Sequence, residues 1–253
     1  MLLHAFRAAL ILIVFGLATS TAKAQTIFLE EFRVNIDGST SQIGVDPLPT
    51  GADVSGLDLI SGLGTFSVMV AGAGNHHVSI FVDHEIDEGQ SSFFNEVGSS
   101  TGTPGSGQTW EIDEPGFGSP ALGSGGVPYL GDIFGNFSDS NDVDGSFLDN
   151  SVFFDFFDDQ TLSVPDDVSM AMGWDFLLGA DEKATINFLI GLDQPTGFYL
   201  THFDTDSNDE FYLSSSLSIT TPGIPEPSSI LLLGGGLVAF GAATRRRRQQ
   251  RAS

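Results

Sequence analysis

Cysteine is absent from the 253-residue chain. No disulfide can form, and no thiolate can act as nucleophile or metal ligand. Positive charge is scarce in the middle of the chain. Of nine Lys and Arg residues, only Arg33 and Lys183 fall between residues 25 and 227, where all 33 Asp and Glu lie. That segment therefore carries a net −31. Such a surface repels phosphate backbones, which excludes nucleic acid as a partner. The one G-x-S-x-G match, Gly98–Gly102, falls in a low-complexity Gly/Ser/Thr/Pro stretch rather than at a strand-to-helix elbow, and a non-enzymatic protein is expected. Helical periodicity is missing from Gln25 to Thr221. Aromatics are not missing: there are 22 Phe. A segment of about 200 residues with that much Phe can bury one sizeable core, so it is not a disordered acidic tail.

Taken in order, the chain reads as strands and turns. Thr26–Phe32 is expected as an edge strand and Asn35–Gly56, rich in Gly, Pro, Ser and Asp, as a long loop. Leu63–Ala71 and His77–Asp83 are β-rich runs, with Gly72-Ala73-Gly74-Asn75 between them as a hairpin connection. Phe93–Val97, Gln108–Ile112 and Ser151–Phe157 read as further short strands, and Gly98–Gly107 as a low-complexity spacer. The second half is better specified. Val168, Met170, Met172, Trp174 and Phe176 alternate with small or polar residues, the period of a half-buried strand. After a turn at Gly179–Lys183, Ala184, Ile186, Phe188 and Ile190 form the next inward row. Gly197–His202 and Phe211–Ile219 continue the pattern. The expected fold is all-β: an antiparallel β-sandwich or jelly-roll-like ectodomain followed by a single C-terminal transmembrane helix.

Both ends read as export signals. Met1–Ala24 has a short basic start, an apolar core at Ala8–Leu17 and an A-x-A pattern at Ala22-Lys23-Ala24. That is the form of a secretory signal cut by signal peptidase after Ala24. At the other end, Pro225-Glu226-Pro227 precedes the uncharged run Ser228–Thr244, and Arg245-Arg246-Arg247-Arg248 follow it. As a helix at roughly 1.5 Å per residue, that run spans about 25 Å, near the lower limit for crossing a bilayer. The arginines hold their end in the cytoplasm. Gly234-Gly235-Gly236 inside the run make it a poor permanent anchor, at about 1 kcal/mol per Gly relative to Ala.

Motif, apolar helix and terminal Arg cluster together resemble the PEP-CTERM sorting signal. The resemblance covers only the C-terminal end. It implies export by a Gram-negative bacterium, recognition by an exosortase, and cutting near Pro225-Glu226-Pro227. The membrane would then be met through residues 228–244 only before processing, with the body afterwards at the cell surface or outside. The expected organisation is a signal peptide over 1–24, an acidic ectodomain over 25–219, a linker over 220–224, the sorting signal over 225–248 and a cytoplasmic tail over 249–253.

Two acidic loops are the candidate ion sites. Asp204, Asp206 and Asn208 place oxygens at alternate positions, as a calcium loop does. Asp209 stands where an EF-hand needs Gly, so this is not an EF-hand. Asp142 and Asp144, before Gly145, repeat the pattern in the second loop. Calcium is the one cofactor these residues point to. Asp, Asn, Ser and Gly are equally the residues of ordinary turns. His76, His77 and His84 are spaced poorly for one metal and read as a solvated strand end. Trp174, on the inward row, reads as core. The leading function is a structural or adhesive protein of the cell surface or extracellular matrix. The alternative is a calcium-dependent carbohydrate-binding module of the exopolysaccharide matrix, and a polysaccharide hydrolase comes third.

Overall fold

The computed structural model describes residues 26–87, 95–115, 133–138, 148–152 and 167–221. Ala22 and Ala24, Asp142 and Asp144, and the sorting signal with its apolar run lie outside the described residues. Among the described residues no helix is long and apolar enough to cross a membrane.

The described residues form eleven strands, in chain order β1 (Ile27–Ile36), β2 (Ser39–Gln42), β3 (Ala52–Leu57), β4 (Gly64–Ala71), β5 (Gly74–Ile86), β6 (Glu96–Thr101), β7 (Gln108–Asp113), β8 (Ser169–Leu178), β9 (Lys183–Gly191), β10 (Tyr199–Asp204) and β11 (Glu210–Thr220), with one short helix, α1 (Ile133–Ser138), between β7 and β8. All named strand pairs are antiparallel. The strands make a five-stranded sheet in the order β2-β1-β5-β8-β7 and a six-stranded sheet in the order β3-β4-β9-β11-β10-β6.

One apolar core joins the two sheets. Val34, Ile80, Met170 and Met172 of the first sheet pack with Phe66, Ile186, Phe188 and Leu213 of the second. Phe32 of β1 meets Phe66 of β4 edge-on at 5.1 Å between ring centroids, and Phe66 stacks on Phe188 at 6.3 Å. The alternating row of β8 faces this core from Val168 to Leu178 as its period requires. Trp174 is buried, and its indole N–H donates to Ser215 Oγ at 2.8 Å. A Trp buried with its one polar group satisfied is a stable core residue.

Several local expectations are corrected. β2 pairs with β1 only over Arg33–Ile36, so among the described residues Ile27–Phe32 have β5 as their one strand neighbour, as an edge does, and the strand becomes interior only beyond them. The long loop at Asn35–Gly56 contains β2 and most of β3. β2 is polar and at best half-buried, and β3 has a register irregularity between Asp53 and Gly56, so its alternation is cut short although Ala52, Val54 and Leu57 pack on the core. The Gly72–Asn75 spacer does not close a hairpin. β4 belongs to the second sheet and β5 to the first, so the spacer is a corner between sheets. Gly98–Thr101 belong to β6 rather than to a spacer.

Helix α1 escaped notice because six residues show no period. It covers the outer face of the first sheet, where Ile133 and Phe137 pack on Phe81 and Ala171. Asn35 Nδ2 donates to the Phe137 carbonyl at 2.8 Å and so satisfies one of the helix's last acceptors. Arg33 sits 5.0 Å from the Phe134 ring centroid.

Phe66 touches aromatic partners from both sheets and is fully buried. Phe66→Ala should cost about 3–5 kcal/mol in urea unfolding, whereas the half-exposed Met69→Ser on the opposite face of the same strand should stay within about 0.5 kcal/mol. Equal losses at the two positions would contradict the inward and outward rows.

Candidate functional site

The acidic turn after β10 comes first, because the sequence singled it out. Asp204 is the last residue of β10 and is fully buried. Its Oδ1 accepts the main-chain N–H groups of Asp206 and Ser207, both at 2.7 Å, and its Oδ2 accepts Asn95 Nδ2 at 2.9 Å. Both oxygens are therefore held by protein donors. Asp206 and Asn208 are exposed, and Asn208 takes a left-handed φ of +62°, a conformation Asn tolerates. Asn95 O accepts Thr205 N at 2.9 Å and Thr205 Oγ1 at 2.8 Å, which clasps the turn to the start of β6. Among the described residues, no three His, Asp or Glu side chains converge as metal ligands.

Beside the turn lies a buried polar cluster that the sequence did not disclose. Glu96 is paired with Asp204 across β6 and β10. Its Oε1 accepts Ile86 N at 3.4 Å, and its Oε2 accepts Val168 N at 3.2 Å. His202 Nε2 approaches Oε2 to 2.8 Å, without the alignment of a hydrogen bond. His84, expected at a solvated strand end, faces the core of the sandwich. It packs on Phe211 at 4.7 Å, and His202 packs on the same ring at 4.9 Å. Neither ring nitrogen of His84 reaches a partner in hydrogen-bond geometry. Gly62 lies against the ring. A Cβ there would sit 2.2 Å from His84 Nε2, and its φ is +67°, so only Gly fits. Burial pushes His84 down to about 3, helped by neighbouring His202 and weakly opposed by the Ser61 main chain. Burial likewise pushes His202 down to about 3, against the pull of Asp204.

The two outer faces differ in chemistry. Directly paired residues on adjacent strands share a face. Across the first sheet, one such row runs Glu31, Asp83, Ser169, Asp113. All four are buried. Burial raises Asp83 to about 7; the Ser169 hydroxyl opposes the shift, and the Glu96, Glu31 and Glu30 charges reinforce it. Ser169 Oγ donates to Asp83 Oδ1 at 3.1 Å. On the second sheet, between β4 and β6, the corresponding rows carry one carboxylate, Glu210 at the start of β11, and three of them carry no charge. One runs Thr65, Leu189, Ser214, Tyr199, Thr101, the next Ser67, Asn187, Ser216, and a third Met69, Thr185, Ser218. Asp53 on edge strand β3 and Lys183 at the start of β9 stand at the margins.

At one end of this neutral face opens a cleft of about 760 Å³. β10 pairs with β11 only as far as Ser214, so beyond it β11 has β9 alone as a paired neighbour. The gap is framed by the loops 102–107 and 192–198. Trp174, Leu189, Pro195, Phe198 and Leu217 form the apolar part of the wall. Gln108 ties it together: Oε1 accepts Gly105 N at 2.9 Å and Nε2 donates to Ser215 Oγ at 3.0 Å. At Gly102, with φ +92°, a Cβ would stand 2.4 Å from the Gly197 carbonyl. The two framing loops therefore touch main chain to main chain.

Residues 223–248 match the PEP-CTERM protein-sorting motif. That span contains Pro225, Glu226, Pro227 and the four arginines Arg245–Arg248. No curated protein and no solved structure is matched by the chain.

Two outcomes follow from the geometry. Asp204→Ala removes three hydrogen bonds and should destabilise the protein by about 1–3 kcal/mol in EDTA and in millimolar Ca²⁺ alike. A stabilisation specific to Ca²⁺ that vanishes in this variant would instead assign the turn to the ion. For Asp83 the folded state holds its proton up to about 7, while the unfolded chain loses it near 3.8. The stability it contributes is complete below about pH 4 and is lost as pH rises towards 7. Asp83→Asn should therefore gain on the parent by roughly 4 kcal/mol between pH 4 and pH 8 in denaturant titrations. A pH-independent difference would mean that Asp83 is ionised throughout.

Proposed function

We propose that the chain is a non-enzymatic structural or adhesive protein of the cell surface or extracellular matrix. Its body is an acidic β-sandwich, delivered by a C-terminal sorting signal. The observation that carries this reading is the sorting motif at residues 223–248, in the position where exosortase acts on exported proteins. The body supports it in two ways. Its core is held without disulfides, so folding needs no thiol oxidation after export. Its second sheet offers a broad uncharged face, in a body whose net −31 keeps neighbouring copies apart.

A carbohydrate-binding role is the second reading, and the neutral cleft beside Trp174 favours it. A calcium-dependent form of that role would have to use Asp206 and Asn208, whose side chains are exposed, because both Asp204 oxygens are engaged.

Processing tests the proposal. In the native host, the mature extracellular form should begin near Gln25 and end near Pro225–Pro227 by intact mass. Replacing Arg245–Arg248 with Ala should trap the longer species in the inner-membrane fraction. An extracellular form that still carries Arg245–Arg248, or a parent chain confined to the cytoplasm, would sink it.

A further inference from the structure

We infer that the cleft framed by loops 102–107 and 192–198 binds a segment of an uncharged polysaccharide. This deepens the matrix role proposed above and rests on it. The first ground is charge. The sequence carries 33 acidic residues and nine basic ones, yet no ionisable side chain lines the cleft. An anionic polymer would find no Lys or Arg here and would be repelled by the body as a whole. A cationic one would find no carboxylate here and would settle on the acidic surface elsewhere.

The second ground is hydrogen-bonding capacity. Thr65, Thr103, Thr196, Ser214 and Ser216 line the cleft with hydroxyls that make no hydrogen bond among the described residues, and a hydroxyl can both donate and accept. Asn187 adds an amide whose Oδ1 accepts from Ser67 at 2.7 Å, which leaves its N–H groups for a ligand. Mixed donors and acceptors without charge match the hydroxyl and ring oxygens of a neutral sugar. Trp174, Leu189 and Leu217 supply an apolar surface for its C–H faces. The volume, about 760 Å³, falls within the range that holds a small ligand or a few units of a polymer.

The third ground is preorganisation. The wall is fixed before any ligand arrives. Trp174 and Gln108 both donate to Ser215 Oγ, Gly105 lies against the Trp174 ring, and the two loops meet at Gly102 and Gly197. A wall already held in place loses little further freedom on binding. The cleft is also open along the strand, because β11 beyond Ser214 has no second paired neighbour among the described residues. A chain can therefore lie in it without ending there.

The test uses the full chain in detergent micelles and isothermal titration with hexasaccharides of neutral α-glucan, β-glucan, mannan and xylan. Hexagalacturonate is the anionic control and chitosan hexamer the cationic one. Saturable binding of at least one neutral hexamer is expected, with neither charged control competing. Asn187→Ala combined with Ser216→Ala should weaken it about tenfold or more. Ser216→Asp places a charge at an exposed position and should abolish it. Unfolding midpoints unchanged from the parent would show that both variants remain folded. No neutral hexamer bound, equal binding of hexagalacturonate, or binding indifferent to Ser216→Asp would each overturn the inference. Loss of sugar binding by a protein still found outside the cell would overturn this step alone and leave the surface role standing.

Discussion

Glu96 is the carboxylate on which the two sheets jointly depend. It belongs to β6, at the edge of the second sheet, yet it accepts main-chain N–H groups from Ile86 and Val168, which border the strands at the centre of the first. An isolated carboxylate so deeply buried would be expelled or neutralised. Here two N–H groups and the His202 ring meet it. The price of that site is paid by neighbours rather than by Glu96 alone: Asn95 has to turn its amide onto Asp204, and Asp204 has to close the following turn. Removing one partner of such a set leaves the others buried and unmatched, which costs more than the set contributes as a whole. The end of the sandwich bearing β6 and β10 thus owes its shape to polar contacts, while the other strands are set mainly by apolar rows.

A second constraint is the disposal of charge. A body at net −31 cannot spread its carboxylates evenly without repelling itself everywhere. The first sheet takes a row of them on its outer face, beneath the layer that includes α1 and Arg33. The second sheet takes almost none between β4 and β6. Its neutral rows follow from Ser, Thr and Asn at the outward positions of β4, β9 and β11. A flat uncharged face beside exposed Met69 and Leu189 is a surface that can be approached closely.

What was legible in the sequence was whatever is local. The β8 row could be read because alternation needs only one strand, and the signal at 223–248 could be read because its parts follow one another in the chain. Pairing was not legible. Gly72 and Gly74 mark a sharp turn whether the chain doubles back in one sheet or crosses to the other, so the corner between β4 and β5 was read as a hairpin. β2 carries no hydrophobic period, and the inward row of β3, Ala52 and Val54, is too short and too soon broken by the irregularity before Gly56 to stand out from a loop. His84 follows the core-facing parity of Val78, Ile80 and Val82 on β5. The signal was present, but a polar side chain at an inward position is ordinarily taken as the end of a row. Asp204 reads in the sequence as an oxygen donor to a cation; what the spacing does not display is that both its oxygens also accept hydrogen bonds, from its own turn and from Asn95.

The buried titratable groups also pull against one another. His84 and His202 stay neutral down to about pH 3 when folded, but charge near 6.5 when unfolded. Their contribution is complete above about pH 6.5 and declines as pH falls towards 3. Asp83 has the opposite slope, since its folded form holds a proton that the unfolded chain has already lost. Between about pH 4 and pH 6.5 the unfolded chain holds two extra protons on the histidines, and the folded chain holds one on Asp83. The slopes partly cancel, leaving a net gain in stability of one proton's worth per pH unit as pH rises. Above about pH 7 none of the three adds further slope. Opposed buried groups of this kind narrow the change in stability between about pH 4 and pH 6.5 without any disulfide to hold the sheets together.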